Sequence, residues 1–139
     1  MNSFPEFNRL TFIQNPNRSD IYDIKTPGFN KFKYFRLSEP RNGWMKSQGA
    51  SYVIETWIEG SKALFSGLIP FKDNIYYGDN KNPKTGRKSF IIAILDGDTI
   101  TINYFNSFSL YPKERPKFLA RFTHTFQLTN PDNETYSRY

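Results

Sequence analysis

The chain has 139 residues, a formal net charge of +6, no cysteine and an aromatic content of 18%. That length suits one domain with a core of its own. The lack of cysteine excludes a disulfide framework and any thiolate metal site, and no apolar run reaches the roughly 18 residues that a membrane-crossing helix needs. The opening MNSFPEFNRL carries neither a basic n-region nor an apolar h-region, so a cytoplasmic protein without a signal peptide is expected. It is read as a single domain over 1–139, with loose termini at 1–9 and 129–139.

Residues 1–30 are rich in Asn, Pro and Asp and read as turns around short extended pieces such as RLTFIQ. KFKYFRL (31–37) has the alternation of a strand, with Lys31 and Lys33 on one side and Phe32 and Tyr34 on the other. EPRNGW breaks it. SYVIETWIE (51–59) is β-branched and aromatic and stops at Gly60, and KALFSGLIPF (62–71) follows as a strand whose Gly67 and Pro70 suggest a bulge or an edge. NIYY (74–77) is a further short strand.

SFIIAILDGDTITINYF (89–105) is the clearest element, two β-rich runs around Asp96-Gly97. A two-residue turn at 96–97 puts Ile91 and Ala93 on the face of Ile100 and Ile102. A three-residue loop instead gathers Phe90, Ile92, Ile94, Ile100, Ile102 and Tyr104, and this cleaner apolar face is the preferred register. From Pro116 onward, Phe118, Leu119, Phe122 and Phe126 fall at i, i+1, i+4 and i+8, the stripe of a helix that packs on a sheet. The fold class expected is therefore α+β, mainly an antiparallel sheet of about four to six strands with one C-terminal helix. The alternative is a small, partly open, OB-like barrel.

Charge is concentrated. Residues 81–88 sum to +4 and residues 111–121 to +3, so the remainder of the chain nearly cancels. The first stretch holds Lys81, Lys84, Arg87 and Lys88 in a connection bent by Pro83 and Gly86, and the second holds Lys113, Arg115, Lys117 and Arg121. Such clusters attract polyanions. Tyr76, Tyr77, Tyr104 and Tyr111 lie near them in sequence, and tyrosine rings can stack on bases. Each observation has an ordinary counterpart: charge runs commonly just face water, and an amphipathic helix with a basic outer face is a common surface helix. The phosphate-binding loop spacing G-x-x-x-x-G-K-[ST] is absent, as is a ribonucleoprotein motif.

For chemistry the inventory is short. His124 is the lone histidine, which with no cysteine leaves no set of zinc ligands. Asp96 and Asp98 belong to a turn, and Glu55 and Glu59 fit an exposed strand face. No metal or cofactor is expected. The leading expectation is a non-enzymatic binding protein for a phosphate-rich ligand, either nucleic acid or a nucleotide such as a cyclic second messenger. It would be held by the basic loop and the basic helix with tyrosine stacking. An inhibitor or adaptor that docks its basic surface on an acidic or nucleic-acid-binding protein is the alternative. A metal-independent ribonuclease using Glu114 or His124 is a weaker one. The first two readings require the two basic segments to meet in space.

Overall fold

Eight strands wind up and down into a closed antiparallel barrel in the computed structural model, which describes residues 4–27, 34–40, 43–47, 49–58, 61–81, 86–106 and 108–126. The strands are β1 (Asn8–Asn15), β2 (Arg18–Ile24), β3 (Tyr34–Ser38), β4 (Tyr52–Ile58), β5 (Ser61–Lys72), β6 (Ile75–Lys81), β7 (Lys88–Asp96) and β8 (Thr99–Asn106). A short helix α1 (Gly43–Ser47) lies between β3 and β4. A 3₁₀ turn (Pro112–Glu114) leads into helix α2 (Arg115–Phe126). Every strand pairs with its neighbours in sequence, and β1 closes the ring on β8, with Leu10 opposite Ile102 and Phe12 opposite Ile100. Closure leaves no edge strand exposed. The expected open sheet of four to six strands is thus replaced by a closed barrel, and the barrel alternative was nearer, though all its connections run between adjacent strands. The single helix packed late against the sheet is as expected.

Two strands come from the region read as turns around short extended pieces. β1 and β2 form a hairpin across Pro16-Asn17, with Asn15 opposite Arg18 and Phe12 opposite Ile24. Phe4 and Phe7, inside the stretch expected to be loose, pack on α2. The Lys31 and Lys33 side of the third strand lies outside the described residues, as do Glu59 and residues 127–139.

The β7–β8 hairpin explains the layering. Asp96 pairs with Thr99, so the turn is the two residues Gly97-Asp98, and Ala93 faces Ile102 while Leu95 faces Ile100. Gly97 takes φ +63° there, a left-handed conformation that costs glycine little. The preferred three-residue loop is therefore wrong, and the reason is physical. β7 is buried on both sides: Ile91 and Ala93 point into the barrel, and Phe90, Ile92 and Ile94 point outward beneath α2. Hydrophobicity cannot set the register of a strand with two apolar faces.

Leu10, Phe12, Phe35, Ile54, Leu68 and Ile100 fill the barrel as one cluster, with Phe12 and Phe35 in edge contact at 4.4 Å. An eight-stranded barrel is just wide enough for such filling. A second cluster lies outside, where Phe118, Leu119, Phe122 and Phe126 of α2 meet Phe7, Phe90 and Phe105. One barrel end carries the tight turns 16–17, 73–74 and 97–98. The other carries the connections after β2, β4, β6 and β8, and is called the loop end below.

Candidate functional site: the basic loop end

The loop 81–88 leaves the barrel between β6 and β7, where Lys81 pairs with Lys88. Arg87 and Lys88 are exposed there, while Lys84 and the side chain of Lys81 lie outside the described residues. The segment entering α2 runs alongside, because the Phe108 amide donates to the Lys88 carbonyl at 3.0 Å. Phe118, one turn into the helix, touches both Phe90 and Phe108. The start of α2 is fastened to β6 by an ion pair between Arg115 and Asp79, two residues before Lys81. The two basic segments, more than twenty residues apart in sequence, therefore flank one end of the barrel. Lys88, Lys113, Lys117 and Arg121 are all exposed around it.

The structure sorts the expected contributors. Arg115 is half-buried, bound to Asp79, and lies 6.0 Å from the Tyr77 ring centroid, so it anchors the helix instead of facing a ligand. Tyr77 in turn stacks on Phe90 at 6.1 Å. Lys113 sits in the 3₁₀ turn before α2, so the basic stripe is not one continuous helix face. Arg121 lies 4.7 Å from the Phe4 ring centroid, and this cation–π contact fixes its guanidinium while leaving the residue exposed.

Two further tyrosines leave the expected patch. Tyr76 points into the barrel at the turn end, in edge contact with Tyr52 at 5.5 Å. Burial raises the pKa of the Tyr76 phenol, and the neighbouring Tyr52 raises it further. Tyr104 is only 8% exposed and also faces inward. Burial raises its pKa against the opposing pull of a hydrogen bond with Ser89 and the charge of Arg87. Neither ring offers a face to a base. Strand parity decides this, since Tyr104 shares the inward face of Ile100 and Ile102.

Tyr111 is different. It is 74% exposed, the single exposed large hydrophobic side chain among the residues whose burial is described. Its backbone is held by two reciprocal bonds. The Glu114 amide donates to the Tyr111 carbonyl at 2.9 Å, and the Tyr111 amide donates to Glu114 Oε1 at 3.3 Å. Pro112 fixes the next φ.

Of the two groups suggested as alternatives for RNA cleavage, Glu114 faces the Tyr111 amide, and His124 is exposed ten residues along, roughly 15 Å away at a helical rise of 1.5 Å per residue, so the two do not act together on one phosphate. Asp98 belongs to its turn, where it accepts from Thr99 Oγ1 at 3.2 Å. No group of three or more His, Asp or Glu residues able to hold a metal ion occurs among the described residues.

A buried polar pair was not anticipated. Arg9 on β1 and Asn103 on β8 are 7% and 0% exposed. Arg9 Nε donates to Asn103 Oδ1 at 2.7 Å, and Asn103 Nδ2 donates to the Ile92 carbonyl at 3.2 Å. Arg9 also lies 5.7 Å from the Phe126 ring centroid. The pair secures the closing seam beneath the end of α2. No protein-family model, curated protein or solved structure matches the chain.

Proposed function

We propose that the protein binds a phosphate-rich ligand at the loop end of its barrel, through Arg87 and Lys88 on one side and Lys113, Lys117 and Arg121 on the other. The observation that carries this reading is the junction of the two segments, the Phe108–Lys88 backbone bond together with the Arg115–Asp79 pair. It brings the strand end that carries Arg87 and Lys88 beside the segment that carries Lys113, Lys117 and Arg121. Concentrated positive potential draws in polyanions and raises their rate of encounter. The role proposed is one of binding at the surface.

The test is a fluorescence-anisotropy titration of labelled oligonucleotide at several salt concentrations. About four phosphate contacts to a single strand predict a slope of log affinity against log salt of roughly −3. A Lys113→Gln, Lys117→Gln double variant is expected to flatten that slope by about 1.4. Affinity that does not change with salt, or that is unaffected in the double variant, would refute the assignment.

A further inference from the structure

Resting on that reading, we infer that the ligand is a single-stranded nucleic acid, with an unpaired base stacked on Tyr111 and the flanking phosphates on Lys113 and Lys117. Four observations support this. Tyr111 is the one large ring left bare among the residues whose burial is described, and it stands next to the cations and not in the core. Its backbone is held in the two Glu114 bonds and by Pro112, so little freedom is lost when a base settles on the ring. Tyr76 and Tyr104 are turned into the barrel and Tyr77 is covered by Phe90 and Arg115, so Tyr111 alone among these four tyrosines offers a bare ring. The ring is three-quarters open to solvent, in the segment that leads from the loop end into α2.

Ligand chemistry follows from that placement. A duplex hides its base faces within its own stack, so an exposed phenol ring gains nothing from it. A lone nucleotide on a ring this open to solvent would have one stacked face and few other contacts, whereas small-ligand sites enclose most of the ligand. A single strand presents both a bare base face and neighbouring phosphates, and its bases stack on aromatic rings with little regard to sequence. Low sequence preference is therefore part of the inference.

The experiment compares wild type, Tyr111→Phe and Tyr111→Ala for binding to a thymidine homo-oligonucleotide, an abasic oligomer of the same length, a duplex and inorganic polyphosphate, at one salt concentration. Tyr111→Ala is expected to weaken thymidine-oligomer binding about 5- to 150-fold and to leave abasic-oligomer and polyphosphate binding unchanged. Tyr111→Phe is expected to stay within about threefold of wild type, because the stacking face is kept. The side chain is exposed, so all three proteins should share one melting temperature. Unchanged oligomer binding in Tyr111→Ala, or tighter binding of the duplex than of the single strand, overturns the inference while leaving the basic end as a polyanion site. Failure of all four ligands to bind overturns the polyanion reading and this inference with it.

Discussion

Gly78 on β6 has no side chain because none fits. A Cβ built there would lie 2.3 Å from the Gly67 carbonyl oxygen and 2.4 Å from Ser66 Oγ, so both backbone and side chain of β5 would have to move. β5 and β6 approach this closely where the sheet curves to close the ring. Gly78→Ala is accordingly expected to lower stability by about 1–3 kcal/mol, measured by urea denaturation, whereas Gly86→Ala, with open space around it but φ +73°, tests backbone conformation alone. At this scale the sequence was uneven. The clusters of lysine and arginine were legible as clusters. That Arg115 is engaged by Asp79, 36 residues away in the chain, was not, because nothing local links the two.

Among the elements, α2 was the most legible, since its phenylalanine stripe needs only helical periodicity to be seen. Phe118, Leu119, Phe122 and Phe126 are buried as that stripe requires. The β7–β8 hairpin was legible in existence through Asp96-Gly97 but not in register, because Phe90, Ile92 and Ile94 are as apolar as Ile91 and Ala93. β1 was legible as the extended piece RLTFIQ, whereas β2 was obscured by the turn chemistry of Asn15, Pro16 and Asn17 just before it. Attachment of α2 combines the aromatic seam with the Arg115–Asp79 pair at the start of the helix. Asp79→Ala leaves a half-buried guanidinium without its carboxylate, and a loss of about 1–2 kcal/mol is expected. Hydrogen exchange should report faster opening at the first turns of α2 than in β1, and equal exchange in both would show that the pair does not hold the helix.

Over the whole molecule, barrel closure was the least legible feature, because β1 and β8 pair across nearly the full length of the chain and no short-range signal encodes that contact. Closure turns Tyr22, Tyr76 and Tyr104 inward, and burial raises the pKa of each phenol from the ordinary value of 10.0. A phenol whose folded pKa is raised stays protonated after its unfolded counterpart has ionised. Its contribution to stability is thus complete below about pH 10 and is lost as pH rises through the folded value. Melting temperature is expected to fall from about pH 10 upward, with tyrosinate absorbance growing in step with unfolding for the interior rings. Full ionisation of all tyrosines in a protein that remains folded would contradict the inward placement.

The same closure sets the tight turns at one end and the cationic segments at the other, which gives the binding proposal a spatial signature. The most direct measurement is a map of backbone amide shifts in the ¹⁵N-labelled protein as a single-stranded oligonucleotide is added. The account predicts perturbations confined to Gly86–Lys88 and Phe108–Arg121, with the turns around Asn17, Asp73 and Gly97 unmoved. Shifts centred on those turns, or on only one of the two basic segments, would contradict it.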